Sequence, residues 1–172
     1  MWLDAPVDLF TQPDAHGDEH EVWFAGEHVV KLTYPNFFGL RVVHRTDESQ
    51  QCNPCEYFER WVLHNELFGD DVDIMGAFDT VQGIRAVLFQ RAIQGSPATD
   101  AEIQSFFRGN GWLPFKVDRD LAWFDESRLL VVSDTHQGNL IETMDNVMVP
   151  IDFRIQSVSG AILDAVRGMV ER

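Results

Sequence analysis

The first half of the chain contains apolar runs that are short and bounded by turn residues, a pattern typical of β-strands. Two such runs, residues 21–24 and 28–33, flank a glycine-containing turn and predict a hairpin whose second strand carries Lys31. Two more runs, residues 72–78 and 83–93, predict a second antiparallel pair. We therefore expect a small antiparallel sheet in this part of the chain.

Three segments combine helical periodicity with helix end signals. The strongest covers residues 53–68, where an asparagine at the N-cap is followed by a proline at the first helical position. A capping box predicts a second helix over residues 99–108, and a third is predicted over residues 157–170. In the first helix, Trp61 belongs to the apolar stripe together with Phe58 and Leu63, so these side chains are expected in the core.

Three further short strands are predicted at residues 129–132, 139–143 and 147–153, while residues 34–51 are rich in turn residues and predict a loop. The predicted order of elements is strands, helix, strands, helix, short hairpins and helix. This order favours an α+β fold with a mainly antiparallel sheet over a βαβ winding. Without an internal repeat or a long linker, residues 1–172 are expected to form a single domain.

Composition supports a folded domain and excludes several classes of partner. The 172 residues are 45% hydrophobic, as in a compact globular protein. The 28 acidic residues outnumber the 13 Lys and Arg for a net charge of -15, which disfavours binding to nucleic acid or to anionic membranes. No apolar run reaches the ~18 residues of a membrane span, and the N-terminus lacks a signal-peptide pattern. We expect a cytoplasmic protein.

Cys52 and Cys55 form a CxxC pair, a spacing found in thiol redox sites and in half of a zinc site. A structural zinc needs four ligands, and no second pair follows downstream. His16 and His20 stand four residues apart upstream, but in a loop-like acidic stretch. Small buried cysteines near a helix start are the expected explanation.

Polar residues between the predicted late strands carry the main chemical signal. Asp134 and Asn139 are separated by five residues, and Asp152 lies at the end of a predicted strand. In phosphoryl transfer, one Asp accepts the proton of the attacking hydroxyl, an Asn five residues later and a second Asp hold Mg²⁺, and a strand Lys contacts the phosphates. Lys31 is one of only two lysines in the chain and falls on an early predicted strand.

The sequence Asp-x-His-x-Gly-Asn at 134–139, with Ile-Asp-Phe at 151–153, resembles the catalytic and metal loops of the protein-kinase-like superfamily, in the form found in aminoglycoside and choline kinases. Residues 56–71 and 89–103 extend the likeness to the kinase domain of multidomain polyvalent proteins of phages and mobile elements. The resemblance covers about residues 15–160. It implies a reduced kinase-like fold, with an N-lobe of about residues 1–93 and a truncated C-lobe of about residues 94–172.

The resemblance also implies roles for single residues. Asp134 corresponds to the catalytic base, Asn139 and Asp152 to the Mg²⁺ ligands, and Lys31 to the phosphate-contacting lysine. The ion-pair partner of that lysine is expected on the first predicted helix, with Glu56 as the first choice and Glu59 as the alternative.

The remaining implied contacts concern the nucleotide. The hinge whose backbone reads adenine corresponds to the segment that begins with Gln90 and ends with Ile93, and Gly17 corresponds to the glycine loop over the phosphates. The implied function is an ATP- and Mg²⁺-dependent phosphotransferase. Its acceptor is left open, with a protein among the candidates.

Several departures from the kinase pattern leave a second hypothesis open. Only Gly17 precedes the first strand, with acidic residues at 14, 18 and 19 around it, and Arg154 replaces the glycine of Asp-Phe-Gly. Only 20 residues follow Asp152, so the usual helical lobe is largely missing. These features favour a catalytically silent kinase relative that binds a nucleotide or a protein.

A third hypothesis is a metal-dependent hydrolase that uses Asp134, His136 and Asp152. It explains neither Lys31 nor the hinge-like segment. His136 is more simply interpreted as a histidine that braces the loop through backbone hydrogen bonds.

Overall fold

The computed structural model describes residues 11–118 and 120–170. In these residues the strands, in chain order, are β1 Ala15–His16, β2 His20–Ala25, β3 His28–Thr33, β4 Asp73–Thr80, β5 Gly83–Arg91, β6 Ser96–Pro97, β7 Leu113–Val117, β8 Asp120–Asp125, β9 Leu130–Ser133, β10 Leu140–Glu142, β11 Met148–Pro150 and β12 Arg154–Ser157. The helices are α1 Pro54–Phe68, α2 Asp100–Gly109 and α3 Gly160–Met169. None of these helices has the length and apolarity to cross a membrane.

The strands form three antiparallel sheets, which confirms the predicted α+β class. The first has the order β1-β2-β3-β5-β4 and uses only residues before position 92. The second has the order β11-β10-β6, and the third has the order β12-β9-β8-β7. Because β11 and β12 belong to different sheets, the residues between them cross from one sheet to the other.

Helix α1 begins and ends as its sequence predicts. Asn53 and Glu56 form a reciprocal capping box, Pro54 occupies the first turn, and Gly69 closes the helix in the left-handed region at φ 65°. One side of the helix packs Tyr57 and Trp61 against Ala86 and Leu88 of β5. Another packs Leu63, Leu67 and Phe68 against a core that includes α2 and the third sheet. The helix therefore lies between the first sheet and the rest of the molecule.

The third sheet is buried on both faces. Along β8, Trp123 faces the core shared with α2, whereas Ala122 and Phe124 face the core shared with α3. This follows from the alternation of side chains along a strand. Both cores are apolar, so β8 has no polar face and its sequence does not alternate as a half-exposed strand does.

Three strands of this sheet and the start of the last helix differ from the sequence-based expectation. No strand was predicted at β7 or β8, and the helix predicted over 157–170 begins at Gly160, because Arg154–Ser157 pairs with β9. The predicted strand over 147–153 ends at Pro150. Asp152 consequently lies in the connection between β11 and β12.

The turn between β8 and β9 is organised by Asp125, whose side chain is buried. One carboxylate oxygen accepts hydrogen bonds from the backbone N–H of Ser127 and of Arg128 and from the Ser127 hydroxyl. The other accepts from the guanidinium of Arg128 at 2.7 Å. Burial alone would raise the pKa of this carboxyl, but these hydrogen bonds lower the pKa overall.

We expect Asp125→Ala to lower the free energy of unfolding by about 1–3 kcal/mol, because the turn loses an acceptor that satisfies several donors. The pKa of Asp125 is lower in the folded than in the unfolded state. The stabilisation that Asp125 contributes should therefore be fully present above the unfolded pKa of about 3.9, and it should be lost as the pH falls through the folded pKa. Urea denaturation at neutral and acidic pH measures both effects. Glu126→Ala, at an exposed neighbour, is the control and should change stability by less than about 0.5 kcal/mol.

Candidate functional site

Asp134 follows the last residue of β9 and has an unusual backbone conformation. Its φ is 61°, in the left-handed region that residues with a Cβ seldom adopt, although Asp and Asn tolerate it better than most. Left-handed non-glycine residues are enriched at functional sites. The Asp134 carboxylate lies 3.5 Å from the Arg154 guanidinium and 3.7 Å from Nε2 of His136. Burial raises the pKa of Asp134, and the charge of Arg154 lowers it only in part.

Asn139 connects the two predicted catalytic loops. Its side-chain nitrogen donates to the backbone carbonyl of Asp134 at 3.0 Å and to that of Asp152 at 3.3 Å. The opposite amide orientation would place the side-chain oxygen against two carbonyl oxygens, so the hydrogen bonds determine which atom faces them. The oxygen, which is the atom that can ligate a metal, remains for another partner.

Asp152 contacts two cationic groups from two other elements. Its carboxylate lies 3.3 Å from Nζ of Lys31 on β3 and 3.0 Å from Nη2 of Arg60 on α1. Burial would raise the pKa of Asp152, but the positive charges of Lys31 and Arg60 lower it well below its usual range. The carboxylate is therefore ionised at neutral pH.

Lys31 is 6% exposed and points from β3 toward α1 and the segment before β12. Its ammonium donates to the carbonyl of Ile151 at 3.2 Å and lies 5.1 Å from the ring centroid of Trp61. The lysine thus meets Asp152 and its backbone neighbour. In this structure it is not paired with the carboxylates predicted on α1.

Those two carboxylates have other partners. Glu56 accepts from Arg41 at 2.8 and 3.0 Å and also completes the capping box with Asn53. Glu59 accepts from the hydroxyl of Ser157 at 2.8 Å. Neither spacing nor amphipathic phase separated the two candidates, and the structure uses both for contacts away from Lys31.

The predicted hinge lies at the end of β5. Gln90 is 2% exposed, and its amide donates to Asp70 at 2.6 Å and to the carbonyl of Ile151 at 3.2 Å. The backbone N–H of Ala92 donates to the carbonyl of Glu27 at 2.8 Å. Ile93 directly follows these residues and is partly buried, and its reading of adenine stays a prediction.

The loop between β1 and β2 contains Gly17 and bends over the site. The Gly17 N–H donates to the carbonyl of His20 at 2.8 Å, and its carbonyl accepts from the Tyr34 hydroxyl at 2.9 Å. His20 is buried against the Tyr57 hydroxyl at 2.7 Å, and burial lowers the pKa of this imidazole to about 4. The imidazole is accordingly neutral at physiological pH.

Three charged residues at the centre of the site were not predicted as site residues. Arg60 is 3% exposed, pairs closely with Glu19, and also donates to Asp152 and to the carbonyl of Phe153. Arg154 donates to the other oxygen of Glu19 at 2.8 Å. The available signal for Arg60 was its helical phase, because it shares the buried side of α1 with Tyr57 and Trp61.

Glu19 and Arg60 line a cavity of about 310 Å³. Its walls are the β1–β2 loop, α1 and the two predicted catalytic loops, with Gly17, Asp18, Glu19, His20, Val22, Arg60, Asp134, His136, Asn139 and Asp152 as lining residues. A second cavity of about 270 Å³ lies between residues 41–50, β7, β8 and the Asp134 loop. Asp134 and His136 line both cavities, so the proposed base is accessible from two sides.

His136 stabilises the loop, as predicted, although through a different group. Its Nδ1 accepts from the backbone N–H of Gly138 at 3.0 Å and caps the short 3₁₀ turn Gln137–Asn139. The expected bonds to backbone carbonyls are replaced by this contact. With Nδ1 as acceptor, the neutral imidazole carries its proton on Nε2, toward Asp134.

The metal-binding alternatives receive no support from the described residues. Within residues 11–118 and 120–170, no group of three His, Cys, Asp or Glu side chains is placed to hold a metal ion. Cys52 and Cys55 are free thiols, and the expectation that both are buried is wrong, because Cys52 is half-buried and Cys55 is exposed. Burial raises the pKa of Cys52 to about 11. A raised thiol pKa opposes thiolate chemistry at neutral pH.

Comparison with known proteins gives one finding. Residues 1–157 match the model of a family described as Serine/Threonine/Tyrosine Kinase found in polyvalent proteins. No curated protein and no solved structure matches the chain. The match includes all the residues that line the first cavity.

Proposed function

The chain belongs to the family of kinases found in polyvalent proteins, and from this we propose that it transfers the γ-phosphoryl group of ATP to a hydroxyl acceptor, with Asp134 as the base. One observation carries the proposal. Asn139 hydrogen bonds to the backbone of both Asp134 and Asp152, and Lys31 pairs with Asp152. Lys31 thus meets three polar residues from positions 134–152, and these are the residue types that phosphoryl transfer uses.

The first sheet and α1 support a kinase-like N-lobe. Its strand order, β1-β2-β3-β5-β4, places Lys31 on the central strand and opposite Leu88 of β5. The proposed hinge continues from β5 toward the second sheet. On this proposal the first 93 residues form the smaller lobe, and the second and third sheets with α2 and α3 form a reduced C-lobe.

The proposed reaction is an in-line displacement at the γ-phosphorus. Asp134 accepts the proton of the acceptor hydroxyl, whose oxygen forms a new bond to phosphorus while the bond between phosphorus and the β–γ bridging oxygen breaks, and ADP leaves. The raised pKa of Asp134 strengthens it as a base, and the Arg154 guanidinium keeps it ionised.

The donor set fits Mg²⁺ in the way that phosphate sites usually do. Asp152 offers one ionised carboxylate and Asn139 one amide oxygen, and Mg²⁺ commonly uses one or two protein oxygens with water and substrate phosphates as its remaining ligands. Bound there, the ion would neutralise charge on the transferred phosphoryl group. Lys31 would contact the same phosphates.

The two cavities suggest how donor and acceptor approach Asp134. The cavity beneath Gly17 is adjacent to Lys31 and Asp152 and suits the phosphates. The second cavity reaches Asp134 from the other side and suits the acceptor. Its volume of about 270 Å³ fits a side chain or a small molecule rather than a polymer strand.

A thermal-shift experiment with ATP and Mg²⁺ tests nucleotide binding. At a hundredfold excess over the dissociation constant, a ligand stabilises the folded state by about 2.7 kcal/mol. Asp152→Asn should remove most of the shift, whereas Asp145→Asn, which neutralises an exposed turn residue, should retain it. Absence of a shift in the wild type at millimolar ATP, or an equal shift in Asp152→Asn, would contradict the proposal.

A catalytically silent binding module is the second candidate, and the closed state of the site favours it. Glu19 lines the cavity and pairs with Arg60, and Lys31 and Arg60 hold Asp152 by both carboxylate oxygens. Under this alternative the protein binds nucleotide or a protein partner without turnover. An Asp134→Asn protein with full biological effect would support it, whereas loss of effect would support catalysis.

A further inference from the structure

Glu19 is held by donors from three separate parts of the chain. Its carboxylate pairs closely with Nη1 of Arg60 on α1, and it accepts from Nε of Arg154 at 2.8 Å and from the backbone N–H of Leu40 at 3.2 Å. The residue is 5% exposed although it belongs to a loop. Burial would raise the pKa of Glu19, but the charges of Arg60 and Arg154 lower it, so the group is an anion.

The same donors are suited to a phosphoryl group. Guanidinium groups and backbone N–H groups are the usual ligands of phosphate oxygens, and charge-assisted bonds of this kind are stronger than neutral ones. The cavity that Glu19 lines also contains Arg60 and Asp152 and lies under the loop that carries Gly17. Arg154 lines the neighbouring cavity, and its guanidinium reaches the Glu19 carboxylate from there. A phosphoryl group in the position of that carboxylate would therefore meet both arginines.

Charge balance explains why Glu19 and a phosphoryl group exclude one another. The cations Lys31, Arg60 and Arg154 are matched by the anions Glu19, Asp134 and Asp152. A phosphoryl group brings further negative charge into a partly desolvated space, where like charges repel strongly. Of the three carboxylates, only Glu19 belongs to the β1–β2 loop. Strand β1, which precedes this loop, has only two residues, and both are exposed.

We propose that Arg60 and Arg154 form a binding site for a phosphoryl group and that Glu19 occupies this site as an internal competitor until ligand displaces it. The assignment of the phosphoryl group to a nucleotide rests on the proposed function. The anion site itself does not, because a phosphorylated acceptor or inorganic polyphosphate presents the same chemistry.

Glu19→Gln is the decisive variant. A glutamine side chain has one acceptor oxygen, and its nitrogen only donates, so it cannot accept from both arginines as the carboxylate does. The internal competitor is weakened while its shape is kept. If the site is free of Glu19 in a tenth of the wild-type molecules or fewer, removing this competitor raises the apparent affinity for the phosphoryl ligand about tenfold or more.

Tripolyphosphate is the probe, titrated by calorimetry at fixed pH and salt into the wild type, Glu19→Gln and Asp18→Asn. Asp18 is exposed on the same loop, so its variant measures the general effect of one negative charge less. We expect Glu19→Gln to bind about tenfold more tightly than the wild type and clearly more tightly than Asp18→Asn. Equal gains in the two variants, or no gain in Glu19→Gln, overturn the proposal.

Arg154→Gln provides an independent test that does not depend on the folding of Glu19→Gln. Arg154 is more exposed than Arg60 and contacts only carboxylates in the described residues. The Arg154→Gln substitution should reduce tripolyphosphate affinity at least several-fold in the wild-type protein. It should do so again when it is combined with Glu19→Gln. Unchanged affinity in Arg154→Gln overturns the proposal, as does failure of all folded variants to bind at millimolar tripolyphosphate.

Comparison of ATP with tripolyphosphate and adenosine separates this inference from the proposed function. Tighter binding of tripolyphosphate to Glu19→Gln, without preference for ATP and without turnover, would support the anion site and contradict the nucleotide-dependent function. Turnover of ATP together with no effect of Glu19→Gln would support the function and overturn the internal competitor.

Discussion

Replacing Asp134 by asparagine is expected to reduce phosphoryl transfer by about 100- to 10,000-fold, the usual contribution of a general base. The variant removes the proton acceptor but keeps the side-chain shape. Asparagine also tolerates the left-handed conformation at φ 61°, whereas alanine adds backbone strain to the chemical change. Phosphate release and autophosphorylation, measured with purified protein and ATP·Mg²⁺, report the rate.

Nucleotide affinity provides the control for this prediction. Asp134→Asn and Asp134→Ala should leave it nearly unchanged, because Asp134 acts on the acceptor hydroxyl. Asp152→Ala should reduce both affinity and turnover, because Asp152 would hold the metal that bridges the phosphates. Wild-type turnover in Asp134→Asn would refute the assignment of the base. A wild type without any turnover would favour the silent binding module.

Replacing Arg60 by methionine should lower the free energy of unfolding by about 3–5 kcal/mol, as expected when one partner of a buried ion pair is removed. Arg60 neutralises Glu19 and Asp152 and also satisfies the carbonyl of Phe153. Methionine has a similar length but leaves these acceptors without their donor. Urea denaturation of the purified variant measures the change.

Two comparisons show whether the loss comes from the ion pairs. Arg108→Met removes an exposed arginine from α2 and should change stability by less than about 0.5 kcal/mol. Combining Arg60→Met with Glu19→Gln should cost less than the sum of the single changes, because the two side chains interact directly. Additive losses, or a small loss in Arg60→Met, would show that Arg60 does not organise the site.

Local sequence signals predicted the elements that depend on local interactions. The capping box at Asn53 and Glu56 and the second one at Thr99 and Glu102 form as expected. Strand β2 extends one residue beyond its predicted bounds at each end, and β3 has its predicted bounds. Trp61 is fully buried, and Phe58 and Leu63 pack against the cores, as their helical phase predicts.

Apart from β9, which was predicted over residues 129–132, the strands of the third sheet could not be predicted because their signals are non-local or ambiguous. Pro114 lies within β7, which is possible because β7 is the edge strand of its sheet. Arg154–Ser157 is a strand only because β9 lies beside it, with Ile155 opposite Val132. A four-residue segment next to a helix carries no periodicity that separates these outcomes.

The candidate site was likewise predictable only where its signals are local in sequence. Spacing identified Asp134, Asn139 and Asp152, because the residues of each loop are close in sequence. The partner of Lys31 depends on how α1 is rotated against β3, and the rotation that buries Trp61 brings Arg60, rather than Glu56, toward Asp152. The acidic residues around Gly17 are a departure from the kinase pattern in the sequence, and the two arginines that neutralise Glu19 come from distant positions.

A crystal structure with a non-hydrolysable ATP analogue and Mg²⁺ tests the central claim most directly. The proposed function predicts the metal on the carboxylate of Asp152 and the side-chain oxygen of Asn139, Lys31 on the phosphates, and the terminal phosphate facing Asp134. A well-ordered nucleotide bound away from these four residues, or no bound nucleotide at saturating concentration, would contradict it.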